Sequence, residues 1–242
     1  TARQDLMKII FETLNVIVEE ARMDFSPNGL IIRVVDPSHV AMIKMEVDAA
    51  AFDNWDVEEV SVGILIQTVK DLVNLGNSTD SIEWQFDEDI GEVNINMGKI
   101  DRVIRPLDNS NLSPPNVPDL DLPASVTITG VDLERALRAA RQVGDLVNLS
   151  LDPENFTVHV QGETDSVNVT YTSAEVQELN CEQPVRSQYS LTYLLPMAKL
   201  MTNVDKVTLR FGENFPLRME YAFNDGSGAV TYFLAPRVEG DF

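Results

Sequence analysis

Arg135, Arg138 and Arg141 stand three residues apart, opposite an apolar stripe of Leu133, Ala136, Leu137, Ala140 and Val143 that share one helical face at about 100° per residue. Guanidinium groups in such a row suit phosphate: they are planar, permanently charged and able to fork onto two oxygens. The same helical wheel sets Lys8 against Leu6, Ile9 and Ile10, sets Lys70 against Leu65, Val69 and Leu72, and puts Lys199 at the margin of Leu191, Leu195 and Ala198. Six of the eighteen basic residues therefore fall on four predicted helices. A charged outer face is what any amphipathic helix shows, so the inference rests on the four helices together and on no single residue. No aromatic residues interleave with these cations and no base-reading motif accompanies them. The contact implied is with a phosphate backbone, without sequence preference.

Residues suited to catalysis or metal binding are sparse. Of two histidines, His159 lies on the polar side of the alternation Phe156, Val158, Val160, where a solvated strand residue is the ordinary outcome. The run Asp87-Glu88-Asp89 offers carboxylates for Mg²⁺ or for acid and base work, but it lies between two strands, where charged turn residues are common. Asp119 and Asp121 share that discount, lying in a proline-rich stretch. A Gly-rich phosphate loop, a G-x-S-x-G elbow and H-E-x-x-H are all absent from the sequence. An acidic-site hydrolase is thus disfavoured, and no metal, cofactor or catalytic residue is expected.

Eighteen basic residues against thirty-nine acidic ones leave a net charge of −21, which repels membranes and nucleic acid unless the cations are gathered in one place. Cys181 is the only cysteine, so no internal disulfide forms and an inert thiol in a reducing compartment is expected. No apolar run approaches the roughly 20 residues a membrane helix needs, and the first residues lack a signal-peptide layout. The expected location is the cytoplasm, or the nucleus of a cell that has one.

The elements that position the cations are written twice. Leu6, Ile9, Ile10 recur at Leu133, Ala136, Leu137, and Leu65, Val69, Leu72 recur at Leu191, Leu195, Ala198. The strand alternation Ile82, Trp84, Phe86 recurs at Val207, Leu209, Phe211, and Val93, Ile95, Met97 at Leu217, Met219, Tyr221, each about 125 residues on. Each copy reads as helix, two strands, helix, then further strands. Helices are expected over Val131 to Val143, and over Leu191 to Thr202 with Ser190 as N-cap and Pro196 inside. Leu107 to Pro123 holds four prolines, three asparagines and three aspartates, the composition of an extended linker. The expected organisation is an N-terminal domain over 1–107, a connecting linker over 108–123 and a C-terminal domain over 124–242. The fold class is α+β, with two similar domains of antiparallel sheets carrying helices on one face.

Three segments bear on a family. Asp36-Pro37-Ser38-His39-Val40 after a strand, Leu234-Ala235-Pro236-Arg237 near the C-terminus, and the Pro-rich linker between matched halves together resemble the sliding clamps of the PCNA family, archaeal or eukaryotic. Gly212-Glu213-Asn214-Phe215-Pro216-Leu217 and the Ser190-Leu191 helix start agree, and the resemblance spans essentially the whole chain.

The resemblance implies the DNA clamp fold, a ring-forming homotrimer closed head to tail around double-stranded DNA, and no active site. Lys8, Lys70, Arg135, Arg138, Arg141 and Lys199 would face the DNA phosphates. Partners, namely DNA polymerase, clamp loader, flap endonuclease and DNA ligase, would insert short hydrophobic and aromatic peptides at His39, Val40, Met42, Val117, Pro118, Pro216, Phe233, Ala235 and Pro236. Ring closure would join an edge strand near Asp101, Val103 and Arg105 to one near Val167, Val169 and Tyr171 of the next subunit. The competing reading is a clamp-like interaction scaffold, such as a checkpoint-type ring subunit, without a processivity role. The chain departs from the family pattern in opening Thr1-Ala2-Arg3 directly into a helix, in Pro196, and in a less apolar Asn109 to Pro115.

Overall fold

The computed structural model describes residues 1–238; residues 239–242, included in the expected second domain, lie outside that range. The chain divides into two compact units. One comprises Thr1–Pro37, Ile43–Val117 and Phe223–Val230; the other comprises Ser38–Met42, Pro118–Ala222 and the chain from Thr231 onward.

The first unit runs β1 (Ala2–Arg3), α1 (Gln4–Asn15), β2 (Glu20–Ser26), β3 (Gly29–Val35), β4 (Ala41–Asp48), β5 (Val60–Leu65), α2 (Ile66–Val73), β6 (Ser81–Asp87), β7 (Glu92–Met97) and β8 (Ile100–Ile104). Hydrogen bonding orders its strands β1-β6-β7-β8 and β5-β2-β3-β4. In the antiparallel β6–β7 pair Ile82 faces Met97, Trp84 faces Ile95 and Phe86 faces Val93. Alternation therefore puts all six side chains on one face. On α1, Leu6, Met7, Ile10, Phe11 and Leu14 are buried, and α1 packs against α2 through Ile66, Val69, Leu72 and Val73.

The second unit runs β9 (Ala124–Ile128), α3 (Gly130–Arg141), β10 (Leu146–Leu151), β11 (Asn155–Gln161), β12 (Ser166–Thr172), β13 (Glu178–Asn180), β14 (Val185–Ser190), α4 (Leu191–Leu200), β15 (Val207–Phe211), β16 (Leu217–Phe223) and β17 (Gly228–Leu234), the last beginning in residues of the first unit. Its strand orders, β9-β15-β16-β17 and β14-β10-β11-β12, repeat those of the first unit element for element. The additional strand β13 pairs with β9 and has no counterpart. Leu133, Ala136, Leu137 and Ala140 of α3 are buried, and α3 packs on α4 and on β10, β11 and β12.

The structure differs from the sequence reading in several places. Four strands, not two, separate α1 from α2, because β5 runs into α2 with no turn residue between them to mark the change. Leu65, read as part of the α2 stripe, is the N-cap and 42% exposed, and Ile66 takes the core position. Ile9, read as core on α1, is 37% exposed, its place in the stripe taken by Met7 and Phe11. Helix α3 starts at Gly130, since the Thr129 hydroxyl accepts from the Asp132 amide at 3.2 Å, and it ends at Arg141 rather than Val143. Ser190 occupies the N-cap of α4 but makes no capping hydrogen bond with its side chain, and the helix ends at Leu200. Pro196 is exposed on α4, so its ring displaces solvent rather than core. Ala2–Arg3 pairs with β6, so a short strand does precede α1.

The Gly130 amide donates to the Val204 carbonyl at 2.8 Å, bringing the start of α3 against the turn after α4. A Cβ at Gly130 would run into the Met201 backbone carbonyl, which cannot rotate away. Gly130→Ala is expected to lower unfolding stability by about 1–3 kcal/mol. Denaturant titration measures this, with wild-type stability as the contrary result.

Candidate functional site

The cations singled out by spacing are on the outer faces of their helices. On α3, Arg135 and Arg138 side chains are 67% and 62% exposed and Arg141 is also exposed. Each has a carboxylate in reach: Asp132 lies 3.7 Å from Arg135, Glu134 lies 3.2 Å from Arg138, and Asp145 pairs with Arg141. Glu134 is buried, so its charge requires the arginine, whereas the exposed pairs are worth about 0–1 kcal/mol and exchange readily for another anion. Arg138 and Arg141 also occupy the last turn, where the helix dipole favours positive charge. Lys199 is exposed on α4. In the first unit Lys8 is exposed on α1, 3.9 Å from Glu12, and Lys70 Nζ donates to Asn15 Oδ1 at 2.8 Å, tying α2 to the end of α1.

Among the six strands that end sheets in the described residues, β8 and β12 carry the residues expected at ring closure. β8 pairs only with β7 and β12 only with β11 among the described residues, so each offers a free row of backbone donors and acceptors. Asp101 and Val103 lie on β8 and Arg105 just beyond it; Val103 is 56% exposed and Arg105 pairs with Glu92 at 3.5 Å. Val167, Val169 and Tyr171 share the half-buried face of β12. The Tyr171 hydroxyl donates to the Asp132 carbonyl at 3.0 Å and its ring stacks on Phe156. Burial, and then the Asp132 charge, raise its pKa.

Within the second unit the structure brings part of the expected peptide site together. The Ala235 amide donates to the Val40 carbonyl at 2.8 Å, and the Arg237 amide to the Gln188 carbonyl at 2.7 Å, so the segment after β17 is laid beside His39-Val40. His39 is exposed in the left-handed region at φ 56°, two residues before β4 begins at Ala41. Val40, Met42, Pro216, Ala235 and Pro236 are half-buried, whereas Phe233 is buried at 6% and supports the strand from beneath. Pro216 follows Phe215, whose carbonyl accepts from Tyr189 Oη at 2.7 Å and Ser187 Oγ at 3.3 Å. Val117 and Pro118 in the linker are half-buried. Earlier in the linker, Asn109 Nδ2 donates to the Ser61 carbonyl at 2.7 Å and Leu107 bridges to Gly63, so it begins docked on β5.

Sequence reasoning missed Phe215, which is 50% exposed; an aromatic before proline in a turn was the available signal. It also missed Arg22 on β2 and Arg33 on β3, which share Asp24, at 2.7 and 4.0 Å. The remaining candidates have local roles. Asp87 accepts from the amides of Asp89 and Ile90 and so closes the β6–β7 turn. The Cys181 thiol donates to the Gln183 carbonyl, and burial raises its pKa. Among the described residues no group of three or more His, Cys, Asp or Glu side chains converges as metal ligands, and no helix is long and apolar enough to cross a membrane.

Known proteins resemble this arrangement along the whole chain. Residues 2–106 match the model of the proliferating cell nuclear antigen N-terminal domain, and residues 116–237 that of its C-terminal domain. A DNA polymerase sliding clamp of Methanococcoides burtonii is 33% identical over 98% of this chain and 96% of its own length. One from Natronomonas pharaonis is 32% identical over 98% and 97%. Among solved structures, the PCNA of A. fulgidus bound to the C-terminal region of FEN-1 superposes with a TM-score of 0.94 at 28% identity, covering 99% of this chain and 98% of that one.

Burial raises the Tyr189 phenol well above its ordinary 10.0. A group whose pKa is raised by folding adds stability below its unfolded value and loses it as pH climbs toward the folded one. Unfolding free energy should therefore fall above about pH 10, and Tyr189, among the five tyrosines, should ionise only as the fold opens. Ultraviolet titration beside circular dichroism checks this; five phenols ionising before any loss of structure would contradict it.

Proposed function

The chain belongs to the proliferating cell nuclear antigen family, and from that premise we propose that it is a DNA sliding clamp, a non-catalytic ring of three copies that holds polymerases and other replication enzymes on duplex DNA. The observation that carries the reading is the gathering of Lys8, Lys70, Arg135, Arg138, Arg141 and Lys199 on four helices of a chain whose net charge is −21. Ammonium and guanidinium contacts to phosphate exchange easily along a duplex and read no sequence, which suits sliding. Encirclement, not affinity, then prevents escape, and the acidic remainder discourages DNA from binding elsewhere.

Closure uses the edges of β8 and β12. Pairing Asp101 and Val103 on β8, with Arg105 just beyond it, to Val167, Val169 and Tyr171 on β12 of another copy satisfies both rows of backbone groups. Expected domain limits of 1–107 and 124–242, joined by 108–123, belong to the same proposal. Partner peptides are proposed to seat an apolar or aromatic anchor against Val40, Met42, Pro216, Ala235 and Pro236, with His39, Val117, Pro118 and Phe233 at the margin or beneath. An apolar pocket rimmed by backbone groups is the usual form of a peptide hot spot. The complex of A. fulgidus PCNA with a FEN-1 segment supports this choice of partner class.

The competing reading, a scaffold that binds no DNA, draws on the carboxylate already beside each α3 arginine. The two part on one substitution set. Replacing Arg135, Arg138 and Arg141 with Gln is expected to cut clamp-dependent processive synthesis at least about tenfold and to flatten its salt dependence by roughly one unit of log slope per lost phosphate contact. Unchanged processivity would favour the scaffold.

For the peptide site, Val40→Asp is expected to weaken a polymerase-derived peptide at least about tenfold while the oligomer stays intact, since a carboxylate in an apolar anchor site is left unpaired. Calorimetry measures the affinity. Wild-type binding would remove Val40 from the site.

A further inference from the structure

The helix cations are shared unevenly between the two units. Helices α1 and α2 carry two, Lys8 and Lys70, against three carboxylates, Asp5, Glu12 and Asp71. Helices α3 and α4 carry four, Arg135, Arg138, Arg141 and Lys199, against two, Asp132 and Glu134, of which Glu134 is buried. The helices of the second unit are therefore net positive and those of the first net negative.

The internal repeat shows how the imbalance is built. On the spacing that carries Leu6 to Leu133 and Ile10 to Leu137, Lys8 falls on Arg135, so one cation is common to both copies. Arg138 and Arg141 fall on Phe11 and Leu14, which are fully buried in the first unit, Phe11 stacked on Trp84. Glu134, 3.2 Å from Arg138, falls on buried Met7. A solvated face needs charge only where the matching helix is already polar, so arginines at positions that the other copy buries have a further use. Glu12 falls on Ala139, so a carboxylate follows Lys8 by one turn and none follows Arg135. The first unit's cations are also less available: Lys70 is half-buried with its Nζ committed to Asn15 Oδ1, and Lys8 lies 3.9 Å from Glu12. Lys199, by contrast, is exposed on a helix that carries no carboxylate.

We propose that each subunit holds the duplex through its second unit, α3 and α4 making the main phosphate contacts and α1 and α2 a minor share. Arg135, Arg141 and Lys199 exchange between phosphates, while Glu134 orients Arg138 as a fixed contact. This rests on the sliding-clamp reading and adds to it which half of the chain grips the DNA.

Anisotropy of a fluorescent duplex of about 20 base pairs, titrated with the full-length protein over a range of low salt concentrations, measures both affinity and its salt slope. Two double variants change the net charge equally, so only the place of the lost charge differs. Arg135→Gln with Lys199→Gln should weaken binding at least about tenfold and flatten the log slope by nearly two units, at about 0.9 per phosphate contact. Lys8→Gln with Lys70→Gln should weaken it no more than about threefold and flatten the slope by less than about half a unit. Glu12→Gln with Asp71→Asn should strengthen binding at least about threefold, a gain that a misfolded variant cannot produce. Equal losses from the two cation pairs, or no gain from the carboxylate pair, would overturn this division of labour and leave the clamp reading standing. A duplex that the unaltered protein does not hold in a salt-dependent way, together with processive synthesis unchanged in all three variants, would overturn both.

Discussion

Backbone hydrogen-bonding capacity left open at β8 and β12 is the constraint on which the rest depends. A strand edge in water is tolerable, but a row of free amides beside exposed apolar residues such as Ile100 and Val103 is a template for another strand. Both edges belong to one chain, so each copy carries a socket and a plug of different kind. Contacts of that heterologous type propagate, and they stop only when the rotation between copies closes a circle. A closed circle pairs both of these edges and creates an enclosure in the same step. Without closure the cations on α1 to α4 would be six ordinary surface charges on a protein that repels nucleic acid.

Charge makes sense within that constraint. The exposed arginines of α3 are each held near a carboxylate, which keeps three guanidinium groups from repelling one another in the absence of DNA. In the proposed reading the exposed pairs of Arg135 and Arg141 are weak enough to be traded for phosphate and re-formed as a duplex moves past, while buried Glu134 keeps its hold on Arg138. On the sheets arginines share a carboxylate in pairs: Arg22 and Arg33 share Asp24, and Arg210 and Arg218 share Glu220. The same residue type thus serves two purposes, set by how far its partner lets it reach.

Much of this was legible in the chain itself. The doubled pattern of apolar residues marked α1 against α3 and β6 against β15, because burial imposes a period of 3.6 on a helix and 2 on a strand. What failed was local. The junction of β5 and α2 carries no breaker, so Leu65 looked like helix core when it is the exposed cap. Phe233, named as a pocket residue, is buried, since a β strand period does not tell which layer its inner face meets.

The central claim is that the β8 and β12 edges close on copies of the same chain. Native mass spectrometry of the full-length protein across a wide concentration range tests it most directly. A single assembly of exactly three chains, stable on dilution, is the result expected of a closed ring. A monomer at every concentration, or an open-ended ladder of oligomers, would contradict it.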